Sequence, residues 1–342
     1  MLANGRRLGA HLPLGNGMVR AAGRAAEIGA SAIQVFTDNP TSWHRRDSLP
    51  AELPAFRARL AELDIAPIAV HAPYLVNLAG SDDAFFERSV ATMTHELLVA
   101  EAYGARYVNM HIGSHRGAGP ETGALHLARG LRRVLDEAGD GAPGVTLVLE
   151  NGAGSGFGMG VTIEDLAAID DAAARAGVDR ARVGFCLDTA HLWGAGYAID
   201  RPEAVDGVLA ELDARLGIER LRMIHLNDSR EACGSRLDRH EHLGAGRIGT
   251  AGLQRFLCHP ALDHVLYVIE TPGMDAGYDA VNMARAFDIA AGHGLEPLPP
   301  EAFEVRSAKG RSAPAEHPEP RDDTDPAEHP GPRGDTDPAG HR

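Results

Sequence analysis

Cysteine is scarce in this chain: there are three in 342 residues, at positions 186, 233 and 258, and they form no CxxC pair. That usage points to a reducing compartment. Long apolar runs are missing too, and none approaches the roughly 18 residues that a membrane span needs. Positive charge is in deficit. The formal net charge is −15, which argues against a protein that coats nucleic acid non-specifically. The segment from Glu301 to Arg342 carries ten acids against six basic residues, so −11 of that total stays on the body of the chain. The first strand, around Leu8–His11, begins almost at Met1 and leaves no room for a signal peptide. A soluble, cytoplasmic protein is the expectation. The glycine-rich stretch Gly152–Gly160 has no GxGxxG register and no following lysine. It reads as a flexible strand-to-helix connection rather than a phosphate cradle.

What the sequence does have is a repeated strand ending. Val183–Asp188 alternates apolar Val183, Phe185 and Leu187 with small Gly184 and Cys186, stops on Asp188, and presents His191 three residues later. The alternation puts Asp188 on the face of the small residues. A strand buried on both faces belongs to a parallel sheet covered by helices. The pattern recurs: Ile68-Ala69-Val70 stops on His71, Tyr107–Met110 on His111, Val145–Leu149 on Glu150, Leu221–Ile224 on His225, and Val265–Ile269 on Glu270. Successive end residues are 40, 39, 38, 37 and 45 positions apart, about the length of one strand, one helix and two loops.

Taken in order, the chain alternates strands with helices near 18–28, 51–63, 82–103, 121–138, 163–176, 202–216 and 278–291. A long loop runs from His225 through Leu243. Eight strands alternating with helices predict a TIM (β/α)8 barrel over residues 1–300. Beyond it, PAEHPEPRDDTD at 314–325 repeats almost verbatim as PAEHPGPRGDTD at 326–337. Proline, charge and the lack of large apolar residues predict a disordered tail over 301–342.

The C-terminal rim of such a barrel would gather His71, His111, Glu150, Asp188, His191, His225, Asp238, His240 and Glu270, with Asp238 and His240 supplied by the loop LDRHEH at 237–242. Five imidazoles and four carboxylates are too many for one zinc ion and suit two or three. Four uncompensated carboxylates at one rim would repel strongly. Three Zn²⁺ would leave the site at about +2, attractive to a phosphodiester even on an acidic protein.

The motifs VHAPY, MHIGSH, LENGAG, LDTAH, IHLND, LDRHEHLG and IET resemble those of endonuclease IV, the metal-dependent abasic-site endonuclease family of DNA repair. The resemblance runs over about residues 8–290. It implies three zinc ions, with Mn²⁺ an alternative at one or more sites. His71, His111 and Glu150 would hold the first. Glu150, the implied catalytic residue, would bridge to a second completed by Asp188, His225 and Glu270. His191, Asp238 and His240 would hold the third. A water deprotonated between metals would attack phosphorus while the metals screen the phosphate and stabilise the departing 3′ oxygen. The implied partner is double-stranded DNA bearing abasic sites or blocked 3′ ends, cut by a monomer in the cytoplasm or on the nucleoid. The family bends its DNA and takes the abasic nucleotide out of the helix. On that basis Asn39, Trp43, Tyr74, Leu75 and Arg239 are the expected DNA contacts, with rim packing an equal alternative for Trp43 and Tyr74. The loop Asp38–Ser42 departs from the family by lacking basic residues. The rival reading is a single-metal sugar isomerase or epimerase of the xylose-isomerase-like barrels, using Glu150, Asp188, His225 and Glu270. It leaves the remaining histidines and Asp238 without a purpose.

Overall fold

Eight strands close into a parallel barrel: β1 (Leu8–His11), β2 (Ala32–Val35), β3 (Ile68–His71), β4 (Ala105–His111), β5 (Thr146–Glu150), β6 (Val183–Asp188), β7 (Leu221–His225) and, after a short antiparallel pair β8 (Asp228–Ser229) and β9 (His240–Glu241), β10 (Leu266–Ile269), which returns to β1. The computed structural model describes residues 1–305. The tail expected to be disordered lies, from residue 306 on, outside the described residues.

Helices α1 (Met18–Glu27), α2 (Leu53–Glu62), α3 (Asp83–Tyr103), α4 (Pro120–Ala138), α5 (Ile163–Arg175), α6 (Thr189–Ala195), α7 (Pro202–Leu216), α8 (Gly249–Cys258) and α9 (Tyr278–Ala291) fill the connections. The expected TIM barrel is therefore the observed one. Three of these elements had not been assigned from the sequence: the helices α6 and α8, and the β8–β9 pair inside what was read as one long loop.

Strand alternation produces two apolar layers. Ala32, Ala69, Val148, Cys186, Met223, Leu266 and Val268 pack with Tyr107 inside the barrel. Their neighbours Ile33, Val70, Val108, Leu147, Leu149, Phe185, Leu187 and Tyr267 point outward under the helices. Burying the outward layer is what fixes the helices on the sheet, since each fully buried Leu, Ile or Phe contributes roughly 1.5–3 kcal/mol. Helix ends are set locally. Asp82 accepts from Phe85 N at the start of α3, and Gly104 ends it in the left-handed region. Thr162 and Asp165 form a reciprocal cap on α5. Caps of this kind are worth about 1 kcal/mol each. At the other end of the barrel, the buried Asp170 is paired with both Arg180 and Arg220.

The glycine-rich stretch is a strand-to-helix connection, as read, but an ordered one. Ser114 and Gly158 form a bridge, and Gly152 N donates to Gly160 O at 3.0 Å. Gly160 sits at φ +68°, where a Cβ would fall 2.3 Å from Ile112 Cδ1, so only glycine lets the loop fold back onto β4. Among the described residues no helix is long and apolar enough to cross a membrane.

Candidate metal centre

Parallel register brings the strand ends together. His71 lies opposite Asn109, His111 opposite Glu150, and Asp188 opposite His225. Residues paired across parallel strands share a face, so these side chains converge on the mouth of the barrel. Three groups of donors result: His71, His111 and Glu150; Glu150, Asp188 and His225; and Asp188, His191 and His240. Glu150 and Asp188 each belong to two groups, so the three form a chain with the carboxylates as its links. The remaining two expected ligands join it. Glu270 Oε2 is 3.5 Å from His225 Nδ1. Asp238 lies 3.3 Å from His191 Nε2 and 3.0 Å from His240 Nε2. All nine residues expected at the site are thus side by side.

Asp238 and His240 reach the site through the β8–β9 pair, in which Ser229 lies opposite His240. The buried carboxylate of Asp228 anchors this region. It accepts from Ser229 N (2.8 Å), Gly244 N (2.9 Å), Gly246 N (3.1 Å) and Ile248 N (2.9 Å). Gly246 is needed there, because a Cβ would stand 2.4 Å from Asp228 Oδ1.

Hydrogen bonding settles which ring nitrogens face the centre. His71 Nδ1 donates to Ala72 O (2.7 Å), His191 Nδ1 to Asn151 O (2.8 Å), and His240 Nδ1 to Glu270 O (2.8 Å). A carbonyl only accepts, so each Nδ1 carries the proton and each Nε2 of the neutral ring offers its lone pair. For His225 the roles reverse: Nε2 faces Gln34 Oε1 at 3.0 Å, leaving Nδ1 inward. The inward atoms His71 Nε2, His225 Nδ1, His240 Nε2 and Glu150 Oε1 are buried and make no hydrogen bond among the described residues. Buried polar atoms left so are rare and costly, while a metal-ligating histidine typically donates its other N–H to a carbonyl or carboxylate. The donor set therefore fits divalent metal ions.

Electrostatics point the same way. Burial opposes protonation of His191, but Asp188, Asp238 and Glu150 outweigh it and push the ring up to about 9. Glu270, Glu150 and Asp188 do the same for His225, again to about 9. Burial also works against the Glu150 carboxylate, yet His111 and His225 hold it well below the usual range. Such a centre demands positive charge, and bound cations would take the place of those protons. Side-chain exposure is about 30% at His111 and 29% at Asp238, against 8% or less at Glu150, Asp188, His191, His225 and Glu270. Entry is over those two.

A supporting set of residues was not identified from the sequence. Asn109 Nδ2 donates to Glu150 Oε2 (2.6 Å), and Asn227 Nδ2 to Asp188 Oδ2 (2.8 Å). Asn151 Oδ1 accepts from Asp188 N (2.7 Å). His11 Nδ1 is 3.2 Å from Glu270 Oε1. Of these, His11 had a visible signal, since it too ends a strand on an imidazole.

The expected DNA contacts lie around the same mouth. Tyr74 is exposed and its ring borders His71 (5.5 Å) and His111 (6.0 Å); Leu75 beside it is half-buried. Trp43 is half-buried, edge-on against Phe85 at 5.0 Å. Asn39 is exposed, but its side chain is turned onto Thr41. Arg239 is exposed, with Nη1 donating to Asp238 O.

Residues 22–295 match the family described as the xylose isomerase-like TIM barrel. A protein of Methanoculleus marisnigri named "Probable endonuclease 4" is 39% identical over 284 residues, covering 83% of this chain and 98% of the relative. The crystal structure of endonuclease IV from Thermus thermophilus superposes with a TM-score of 0.71 at 36% identity, covering 84% of this chain and 99% of that one. A D-tagatose 3-epimerase-like protein, 18% identical, superposes with a TM-score of 0.62 over 84% of this chain and 98% of its own. At that identity the likeness is one of fold alone.

Proposed function

Because the chain belongs to the endonuclease IV family, we propose that it cleaves duplex DNA on the 5′ side of abasic sites, leaving a 3′-hydroxyl and a 5′-deoxyribose phosphate, with metal ions held by the nine residues at the barrel mouth. The observation that carries this reading is the third donor group. Asp188, His191 and His240 lie within ligand distance of one another, with Asp238 against both imidazoles. A single-metal sugar isomerase would be complete with Glu150, Asp188, His225 and Glu270 and has no use for His191, Asp238 and His240.

Zinc ions bound there would supply an activated water and neutralise charge on the scissile phosphate and leaving oxygen. The chain's own residues provide the rest. Glu150 stands between the first two groups, with Oε1 3.4 Å from His225 Nδ1 and Oε2 3.6 Å from His71 Nε2. Asn109 holds its Oε2 and so fixes the carboxylate's plane. Asp188 divides its work: Oδ1 caps α6 through Ala190 N and His191 N, and Oδ2 faces His240. The half-exposed His111 and Asp238 flank the way in, and Tyr74 forms an aromatic wall beside His111 suited to a sugar without its base. Manganese at one of the groups is compatible with the mixed nitrogen and oxygen donors.

Incubation with a duplex carrying one abasic site tests this. Metal-dependent cleavage giving a 3′-hydroxyl is expected. Products trapped covalently by borohydride would indicate a Schiff-base lyase and overturn the reading. Abasic DNA left intact by the metal-loaded protein would overturn it equally.

A further inference from the structure

We propose that Gln34 is a positioning residue for the middle donor group, fixing His225 and Glu270 as a matched pair of metal ligands. The proposal rests on the metal reading above and extends it to a residue outside the nine ligands. Gln34 lies in β2, two residues after the inward-facing Ala32, so it too points into the barrel. It is fully buried, and it reaches past β1 to the ends of β10 and β7. Its Nε2 donates to Glu270 Oε1 at 2.8 Å and lies 3.0 Å from His11 Nδ1. Its Oε1 accepts from His225 Nε2 at 3.0 Å.

The orientation of this amide is forced. An ionised carboxylate accepts only, so the nitrogen must face Glu270 and the oxygen must face His225. His225 then carries its proton on Nε2 and turns the lone pair of Nδ1 toward Glu150 at 3.4 Å and Glu270 Oε2 at 3.5 Å. One neutral side chain thereby selects the tautomer of one ligand and occupies the outer oxygen of another. It does so without adding charge to a centre already crowded with carboxylates. Neither an apolar residue nor a carboxylate of the same length could make both contacts.

The test uses the full chain loaded with zinc, comparing wild type with Gln34→Met, which keeps the length and removes both contacts. Release of zinc to a chromogenic chelator should contain one component roughly 10- to 100-fold faster than in wild type. The visible absorption of the cobalt(II)-loaded protein should change, because a ligand has shifted. On abasic duplex, kcat should fall while KM stays within about twofold. Should the Met variant not fold, Gln34→Glu keeps volume and the acceptor for His225 while losing the donor to Glu270, and the same faster release is expected. Wild-type zinc release and an unchanged cobalt spectrum in the folded variants would overturn the proposal, and so would a wild-type chain that binds no metal. Zinc release and the spectrum are read without DNA. A wild type that holds zinc but leaves abasic DNA uncut would therefore remove the proposed function and leave the role of Gln34 standing.

Discussion

Replacing His240 by alanine separates a trinuclear phosphodiesterase from a single-metal isomerase at one position. The imidazole's Nε2 is 3.0 Å from Asp238 Oδ1 and 3.4 Å from Asp188 Oδ2, and its Nδ1 donates to the carbonyl of Glu270. The substitution leaves His191 as the one imidazole in that group, facing two carboxylates. The Glu150, Asp188, His225 and Glu270 side chains stay untouched. If the third group holds a metal that steadies charge on the leaving oxygen, losing that preorganised partner should cost roughly 10²–10³ in rate, or about 3–4 kcal/mol of barrier. Affinity for abasic DNA should change far less, since the substitution leaves the proposed DNA contacts Asn39, Trp43, Tyr74, Leu75 and Arg239 in place. The measurement is single-turnover cleavage of an abasic duplex, with bound metal counted on the same preparation. Near-normal cleavage with a full complement of metal would refute the assignment of His240 and Asp238 as ligands.

Glu96 carries a pH signature: burial, against the opposing hydroxyl of Thr37 and charge of Arg45, pushes its carboxyl from 4.5 up to about 7, so the folded state binds more protons than the unfolded one between those values. Stability should fall by about 3 kcal/mol as pH rises from about 4.5 to about 7 and then level off; urea midpoints should show this drop in wild type and not in Glu96→Gln, and parallel curves would refute it. Truncation after Val305 should leave the thermal midpoint and turnover on short duplexes unchanged, whereas ending the chain at Pro299 should lower both, because His242 Nε2 donates to Ala302 O at 2.9 Å; a large loss from the first deletion would show that the repeat tail docks. The slope of log affinity against log salt should be shallow, since each phosphate contact contributes about −0.9; a slope indicating eight or more contacts would count against the idea that the acidic surface limits them.

The barrel was legible because its signals are local and repeated. Apolar strands buried on both faces, a polar ligand type at each end and a spacing near forty residues can be read without knowing any contact. Six of the nine site residues followed, since a strand's last inward residue must face the mouth; His191, Asp238 and His240 end no barrel strand and were read from the motifs LDTAH and LDRHEHLG. What stayed hidden has a common cause. Gln34, Asn109, Asn151 and Asn227 are uncharged polar residues in or beside buried strands, and nothing in their own neighbourhood reveals that their partners lie on another strand. The helix α8 starts Gly249-Thr250-Ala251-Gly252 and has no side-chain cap, so its onset lacks the usual marks; packing of Leu253, Phe256 and Leu257 holds it. Strands β8 and β9 are two residues each, too short for any period to show. They form because Asp228 and its ring of backbone donors fold the loop on itself.

The acidic surface and the polyanionic substrate proposed above are reconciled in part by where the arginines stand. In the loop after β2, Asp38 takes Arg46 at 2.5 Å and Arg45 is turned inward, 3.8 Å from the buried Glu96. That loop offers little net positive charge despite two arginines in sequence. Across the mouth, the segment between β8 and α8 presents Arg230, Arg236, Arg239 and Arg247, all exposed. Two of them lean on backbone rather than on acids: Arg239 donates to Asp238 O and Arg247 to Arg230 O. Arg236 is held at φ +59°, a conformation that costs a non-glycine residue energy and persists only where the surroundings impose it. Exposed arginine is thus concentrated on the loop that also delivers Asp238 and His240, although Glu231, Asp238 and Glu241 leave that segment a net charge of only +1. A phosphate drawn to Arg239, which stands between Asp238 and His240 in the chain, would arrive beside the third donor group. The field that matters to a phosphodiester is the local one, to which the metal ions proposed for the donor groups and the arginines of this loop would contribute, rather than the net charge of −15.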